Sequence, residues 1–320
     1  MNSFRSQKCG TMVLGSCFLL LPIFLLPNCG GGSAKVLTRP TGKNGSLNVT
    51  QAQSLAGDYN AQFLAIVTGL FDGTSIPEMT SYDESLLLTA MNQNQVAKAL
   101  DFGLLDFDPV GCAGVSNPVS TVNLDGDNVP VTSTLTYSCS VSKTRGTASV
   151  TGTGTLIDKD DNHSLGGFAA TLSNLIFDYT SLGIKFTYNS DVSSTKAESS
   201  YSGKYDVELT IASPVGSGFL GNYLDVAVTP TNMLAPGFSG AVTLSGWLKI
   251  EGKASLADTN VTMQLSSQDL TYSSSCSGLS GFNGGSITFT NGDDKSIVST
   301  FYSSCAATHT YDGQSVTPTQ

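Results

Sequence analysis

The residues best suited to covalent chemistry in this 320-residue chain are its seven cysteines. Four of them form two pairs with similar flanking sequence, Cys112 with Cys139 and Cys276 with Cys305. Each pair begins as Cys-x-Gly-x-Ser, passes a Gly-Asp step and returns through Ser-Thr. Asp125-Gly126 and Asn291-Gly292 are typical of two-residue type I′ turns, because both central positions need positive φ. The spacing therefore predicts two hairpins, each bridged by a disulfide.

Strand register tests this hairpin prediction by arithmetic. A turn at 125 and 126 makes antiparallel partners sum to 251, which 112 and 139 do. The second pair sums to 581 where its turn requires 583, so a two-residue irregularity is expected on its first strand. Free thiols are the alternative, and a metal site is disfavoured because no pair has the short spacing of zinc ligands. We predict disulfides, with no metal and no cofactor.

Other motifs that resemble functional sites are better explained by structure. Gly216–Gly221 matches G-x-G-x-x-G, but Asn222–Val228 alternates like a strand, so we expect a strand-connecting loop and no nucleotide site. Asp158–His163 offers oxygen ligands to calcium, yet it lacks the glycine and final glutamate of an EF-hand, which favours a polar turn. Asp106 and Asp108 are a carboxylate pair whose local spacing does not establish glycosidase geometry.

Neither histidines nor aromatic residues form a recognisable catalytic or binding motif. His163 and His309 lie beside predicted strand ends, without a nucleophile motif. Trp247 and many tyrosines are candidates for a sugar or peptide platform, but strand residues of this type more often form cross-strand packing pairs. The tyrosines concerned are Tyr179, Tyr188, Tyr201, Tyr205, Tyr223 and Tyr272. We predict that the protein is not an enzyme.

The N-terminus has the features of a secretion signal. Arg5 and Lys8 precede an apolar run from Met12 to Leu26, whose fifteen residues are short of the ~20 that a membrane span needs. The run ends in Leu-Pro-Asn-Cys at 26–29, followed by Gly-Gly-Gly-Ser. This sequence resembles the lipobox of bacterial lipoproteins, although asparagine and proline occupy positions where other residues are usual. The resemblance implies that Cys29 is lipidated and that residues 1–28 are removed.

Two alternatives to the Cys29 anchor have to be considered. Leu14-Gly15-Ser16-Cys17 is a closer local match, but its hydrophobic run follows the cysteine instead of preceding it. Ordinary signal-peptidase cleavage after Ala34 would discard Cys29 with the signal. Either route exports the chain, and the four remaining cysteines are an even number suited to an oxidising compartment. The resemblance to lipoproteins, with Gly30 instead of Asp after the anchor, implies delivery to the outer membrane, on its periplasmic face or at the cell surface.

Charge restricts the class of partner. The formal charge is −10 and only 12% of residues are charged. An acidic chain of this kind is unsuited to nucleic acid, which requires a basic surface. It also needs a covalent anchor to remain at an anionic membrane. The expected partners are the membrane, through the N-terminal lipid, and either an envelope protein or an apolar ligand.

The hydrophobic pattern divides the exported chain into four parts. Residues 29–49 read as a flexible tether, 50–108 as a helical segment packed on the sheet, 109–310 as the β body and 311–320 as a tail. The first predicted helix runs from Gln51 to about Leu70, and a capping-box pattern at Ser81 starts a second that ends at Gly103.

Period-two alternation between Gly, Asn, Asp and Ser turns predicts a mainly β fold of about eleven antiparallel strands. A sandwich, a barrel and a half-open barrel all fit this pattern. The leading functional hypothesis is a lipid-anchored, non-enzymatic envelope lipoprotein with a structural or binding role. The alternative is a periplasmic carrier that holds a lipid or other apolar ligand in a half-open β-barrel.

Overall fold

The computed structural model describes residues 36–53, 55–56, 113–118, 132–143, 146–158, 168–197, 200–214, 216–232, 239–254, 257–276 and 281–318. These residues form one antiparallel sheet of thirteen strands that are hydrogen-bonded in sequence order. The strands are β1 (Ala113–Pro118), β2 (Thr132–Lys143), β3 (Gly146–Asp158), β4 (Phe168–Tyr179), β5 (Ile184–Ala197), β6 (Ser200–Ser213), β7 (Gly216–Asn232), β8 (Ser239–Ala254), β9 (Ala257–Ser273), β10 (Phe282–Thr290), β11 (Ser296–Phe301), β12 (Ala307–Tyr311) and β13 (Gln314–Val316).

The sheet is open, with β1 and β13 as its edges in the part of the chain that the structure describes. The prediction of a mainly antiparallel β fold is confirmed. Among the described strands, each pairs only with its neighbours in sequence and the first and last do not pair, so a two-sheet sandwich and a closed barrel are wrong. The predicted tail, 311–320, contributes Gln314–Val316 as the last strand.

The two faces of the sheet differ in chemistry, as β6 shows. Tyr205, Leu209 and Ile211 point to one face and belong to the main hydrophobic cluster, whereas Asp206 and Glu208 point to the other face and are also buried. Period-two alternation produces this division because successive side chains of a strand point to opposite sides. We call the side of the hydrophobic cluster the core face and the opposite side the outer face.

Long central strands give the core face its area. β7, β8 and β9 have 17, 16 and 17 residues, which corresponds to about 55 Å of extended chain each. Leu224 and Leu248 oppose one another diagonally on β7 and β8 and are fully buried. Burial of each such leucine contributes about 1.5–3 kcal/mol. The strands then shorten from nine residues in β10 to three in β13.

Gly216–Gly221 illustrates a wrong prediction from a local motif. These residues form the beginning of β7 and pair with β6 and β8, so they are strand and not a connecting loop. Gly221 is required here because the ring of Tyr223 folds over it. A Cβ atom at this position would lie 2.7 Å from Cε2 of that ring.

The disulfide between Cys276 and Cys305 is present, with a Cα–Cα separation of 5.3 Å. Its predicted position across a simple hairpin is wrong. Cys276 follows β9, where its N–H donates to the Ser273 carbonyl, and Cys305 lies in the turn between β11 and β12. The bond therefore joins two turns at one end of the sheet, across the β10–β11 hairpin.

The turn between β10 and β11 differs from the predicted type I′ pair. Asn291 pairs with Lys295, and the Asp294 N–H donates to the Asn291 carbonyl at 3.2 Å. Asp294 itself has φ +60°. A type I turn followed by one left-handed residue is the usual three-residue hairpin loop, and it moves the strand register away from the predicted sum. The Asn291 Oδ1 atom stabilises the loop by accepting the N–H groups of Asp293 and Lys295.

The first cysteine pair is only partly described. Cys139 is disulfide-bonded and lies on β2, whereas Cys112, Asp125 and Gly126 lie outside the described residues. The β1–β2 register sums to 251 at Pro118 and Ser133 but to 250 from Val115 onward, because a bulge lies between. The prediction that partners sum to 251 along the whole hairpin is therefore wrong. The Cys112–Cys139 pairing stays a prediction.

Of the helical segment 50–108, the structure describes only the beginning. Residues 49–53 and 55–56 are helical. Asn48 and Gln51 form a reciprocal cap, each side-chain oxygen accepting the other residue's N–H at 2.9–3.0 Å. Ala52, Leu55 and Ala56 belong to the core cluster. One short helix is thus present where two were predicted; the remainder of the first and the whole second helix lie outside the described residues.

Candidate functional site on the outer face of the sheet

The outer face is crossed by residues 36–48, which we call the N-terminal segment. Arg39 contacts β6 and β7, and Asn44 pairs with Thr262 of β9 through two backbone hydrogen bonds of 3.0 and 2.8 Å. This edge of β9 is open to Asn44 because β10 ends opposite Gln264. At its far end the segment reaches the core cluster through Leu47, whose carbonyl accepts the Tyr311 hydroxyl. The described part of the predicted tether is therefore fastened to the sheet.

Arg39 is the main polar contact of the N-terminal segment. Its Nε and Nη2 atoms donate to Asp206 at 3.0 and 2.7 Å, and Nη2 also donates to Asp225 Oδ1 at 2.9 Å. Burial acts to lower the pKa of Arg39, but the hydrogen bonds to Asp225 and Asp206 and their negative charges outweigh it and raise the pKa. The guanidinium is planar and presents several donors in a fixed geometry, which suits two carboxylates on neighbouring strands.

The two carboxylates bound by Arg39 differ in burial. The Asp206 side chain is 1% exposed and that of Asp225 is 51% exposed. Breaking a buried ion pair by removing one partner costs about 3–5 kcal/mol, whereas an exposed pair contributes about 0–1 kcal/mol. The Arg39–Asp206 contact is therefore the one that holds the segment to the sheet.

A second cation completes the cluster. The register places Asp191 of β5 directly opposite Asp206, an arrangement in which two like charges destabilise a sheet. Lys204 lies between them and contacts Asp191 at 2.8 Å and Asp206 at 3.2 Å. Partial burial acts to lower the pKa of Lys204, but the hydrogen bond to Asp191 and the charge of Asp206 raise it overall. Three carboxylates and two cations leave the cluster with a formal charge of −1.

Tyr223 extends this polar network under the N-terminal segment. It lies opposite Asp206 on the outer face, and its hydroxyl donates to Glu208 Oε1 at 2.9 Å. Burial, followed by the charge and hydrogen bond of Glu208, raises the pKa of Tyr223. The buried glutamate thus has a neutral donor, which reduces the penalty for removing its charge from water.

Beside the Arg39–Asp225 contact, the outer face contains a groove of about 340 Å³. It spans β5 to β8, and hydroxyl groups dominate its lining. One ammonium group and one carboxylate complete the polar atoms, and the remaining lining residues are small or aliphatic. The groove is lined by Ser193, Thr195, Ser202, Gly203, Lys204, Asp225, Val226, Ala227, Thr243 and Ser245.

Several residues singled out from the sequence have structural positions. Asp293 and Asp294 lie in the β10–β11 turn, as predicted, and Tyr179 and Tyr272 make edge-on ring contacts with Phe186 and Phe282. Trp247 lies opposite Tyr223 on the outer face, while the other tyrosines named above lie on the core face. Cys29, Asp106, Asp108, Asp125 and His163 lie outside the described residues.

One nucleophile–base contact was not anticipated from the sequence. Ser299 Oγ and His309 Nδ1 are 2.9 Å apart on neighbouring strands of the core face. Burial lowers the pKa of His309. Ser299 is buried, and the described residues give His309 no carboxylate partner to orient its ring. This arrangement fits a satisfied pair of polar core residues better than an activated serine.

Among the described residues, no three His, Cys, Asp or Glu side chains are grouped so as to hold a metal ion. None of the helices within the described ranges has the length and apolar character needed to cross a membrane.

Arg39 and Asp206 carried no signal in the sequence, because each is a single charged residue in an unremarkable local context. No family model, curated protein or solved structure matches this chain.

Proposed function

We propose that this protein is a lipid-anchored, non-enzymatic lipoprotein of the bacterial envelope, with a binding or structural role at the outer membrane. The observation that carries the proposal is the attachment of the N-terminal segment to the sheet directly after the lipobox-like sequence. Arg39 is only ten positions from Cys29. A lipid on Cys29 would therefore be tied to the folded body by a very short connection.

The length of this connection limits where the sheet can lie. Ten residues span at most about 36 Å when fully extended. The Arg39–Asp206 contact transmits the restraint to β6 and β7, at the middle of the sheet. The Arg39 contact would accordingly lie no more than about 36 Å along the chain from the lipidated cysteine. Such a body is held close to the membrane surface instead of ranging over the full reach of the predicted 29–49 tether.

The internal partners of the buried carboxylates favour a binding or structural role over catalysis. Asp206 is bound by Arg39 and Lys204, and Glu208 accepts the Tyr223 hydroxyl. A general acid or base must be able to exchange a proton with a substrate. Carboxylates committed to buried internal partners instead stabilise the attachment of the segment.

Metabolic labelling with a radioactive fatty acid tests the anchor, and the chain offers a matched control. Label should be lost in Cys29→Ala and kept in Cys17→Ala, since Cys17 lies in the alternative lipobox-like sequence. Label that persists in Cys29→Ala, or disappears in Cys17→Ala, would reject Cys29 as the anchor. Export without any label would favour cleavage after Ala34.

One observation favours the carrier as a second candidate. Tyr205 lies on the core face and is 5% exposed, and its buried hydroxyl has no hydrogen-bond partner among the described residues. An apolar ligand with one polar group would satisfy it. Native mass spectrometry of the purified protein distinguishes the two hypotheses, because a carrier retains a co-purified ligand that Tyr205→Phe should weaken. A ligand-free mass would count against the carrier.

A further inference from the structure

We propose that the groove on the outer face of β5–β8 is a binding site for a neutral saccharide of one or two sugar rings. This inference deepens the binding role proposed above and rests on it for its biological context. The groove has a volume of about 340 Å³, at the lower end of the range for small-molecule sites of ~300–1,000 Å³.

Register arranges the lining side chains as two parallel rows across four strands. The first row is Ser193, Lys204, Asp225 and Ser245, and the second is Thr195, Ser202, Ala227 and Thr243. Neighbouring strands are about 4.8 Å apart and alternate residues of a strand about 6.8 Å apart. Each row is therefore about 14 Å long, and the pair of rows matches the length and width of an extended disaccharide.

The chemistry of the rows suits ligand hydroxyl groups. Five of the eight side chains carry a hydroxyl, which both donates and accepts hydrogen bonds. Asp225 is half exposed, and although Arg39 occupies one position on each of its oxygens, a carboxylate has about four acceptor positions. The free positions can receive two adjacent hydroxyls of a sugar. Ala227 and the threonine methyl groups provide the apolar contact that the C–H face of a sugar ring requires.

Charge distinguishes a neutral ligand from an anion. Among the lining residues that the structure describes, Lys204 carries the one ammonium group, and it is already bound by Asp191 and Asp206. With Arg39 included, the cluster bordering the groove has a formal charge of −1. A phosphate or carboxylate would therefore meet repulsion without a free cation to offset it. A neutral polyol avoids this cost because it exchanges hydroxyl contacts with water for hydroxyl contacts with protein.

Saturation-transfer NMR with two probes of equal size tests the proposal. The probes are cellobiose, which is neutral, and the disaccharide in which the C6 hydroxymethyl group of its non-reducing glucose is a carboxylate (glucuronosyl-β-1,4-glucose), which keeps both rings. Cellobiose should receive saturation from the purified protein, and the uronate should bind at least about tenfold more weakly. Absence of transfer to cellobiose would overturn the saccharide assignment, and equal or stronger binding of the uronate would overturn the neutral class.

A pair of identical substitutions locates the binding site. Ala227→Phe fills the second row, whereas Ala241→Phe places the same side chain on the same face at an exposed position outside the groove. Cellobiose binding should fall at least about tenfold in the first variant and stay unchanged in the second. Equal binding in both variants would overturn the site.

If Ala227→Phe does not fold, Thr243→Val carries the test, because it removes a hydroxyl at nearly constant volume. It should weaken cellobiose binding severalfold, and unchanged binding would overturn the site. These outcomes are separate from the fatty-acid labelling: loss of the saccharide site leaves the Cys29 anchor standing, and loss of the anchor leaves the groove measurements unaffected.

Discussion

The core face and the outer face of the central strands bury their residues by different physical means. On the core face, Leu224 is buried among other apolar side chains. It stabilises the fold through the apolar surface area that burial removes from water. The next residue, Asp225, points to the outer face, where it and its cross-strand neighbour Lys204 belong to a cluster of charges around the buried Asp206. The first arrangement requires apolar neighbours that fill the volume but no specific partner. The second depends on every partner being present, because an unpaired buried charge is very costly.

The largest expected effect concerns the core face. Leu224→Ala removes a fully buried side chain from the middle of β7, so it should lower the free energy of unfolding by about 2–5 kcal/mol. Urea denaturation monitored by circular dichroism measures this change. Thr229→Ala is the control, since Thr229 is exposed on the outer face of the same strand and its loss should stay within about 0.5 kcal/mol. Equal effects of the two variants would contradict the division into faces.

Removal of the arginine tests the outer face. Arg39→Met leaves Asp206 buried with only Lys204 nearby, and we expect a loss of about 3 kcal/mol, at the low end for a broken buried pair. Lys43→Met is the matched control in the same segment, because Lys43 pairs with the exposed Asp294 and contributes at most about 1 kcal/mol.

A second substitution separates charge from packing at this site. Adding Asp206→Asn to Arg39→Met removes the buried charge and should recover part of the loss. A double-mutant cycle measures the coupling between the two residues. A coupling near zero would mean that the segment is held by burial of Leu37, which is 9% exposed, and by the Asn44–Thr262 backbone pair instead of by the ion pair.

The same Tyr→Phe substitution on each face compares a hydroxyl that has a partner with one that has none among the described residues. Tyr223→Phe removes the donor to buried Glu208 on the outer face and should cost about 1–3 kcal/mol. Tyr205→Phe removes a hydroxyl without a partner among the described residues on the core face, and should be neutral or slightly stabilising. Thermal unfolding of the two variants tests the difference. A destabilising Tyr205→Phe would indicate a partner for that hydroxyl, such as a bound water or ligand.

The smallest expected effect concerns the polar pair of the core face. Burial places the pKa of His309 below its usual value of 6.5, so the folded protein binds fewer protons there than the unfolded chain. The stability associated with neutral His309 is present above about pH 6.5 and is lost as pH falls through the folded pKa. His309→Gln should therefore flatten the decline in unfolding free energy between about pH 7 and 5. Parallel pH profiles of the two proteins would show that His309 titrates alike in both states.

Features that depend on consecutive residues were predicted correctly from the sequence, whereas features that depend on strand register were not. Alternation in β6 and β9 predicted antiparallel strands correctly, because side-chain period is a property of consecutive residues. Pairing of Cys276 with Cys305 was predicted correctly, but its place in the fold was not. The Asn291 loop contains one more residue than a type I′ turn, and such a difference moves every partner along the strand.

The groove and the charge cluster were beyond prediction for a related reason. Ser193, Ser202, Ala227 and Thr243 come from four strands and look like ordinary turn-flanking or strand residues in sequence. Only the relative registers of β5 to β8 bring them into two rows. The bulges that set some registers, such as the one in the β8–β9 pair, depend on a single residue in left-handed conformation.

By itself, the sequence determined the antiparallel β character and the pairing of Cys276 with Cys305, since periodicity and spacing are readable along the chain, whereas the export signal stays a prediction. Only the tertiary structure decided that Arg39 binds Asp206, 167 positions away, and that the presumed tether is fastened to the sheet. The physical reason is that a single charge has no preferred partner until a register places a buried carboxylate beside it. The cluster is stable only when β5, β6 and β7 are paired, so the sequence of any one of these strands does not predict it.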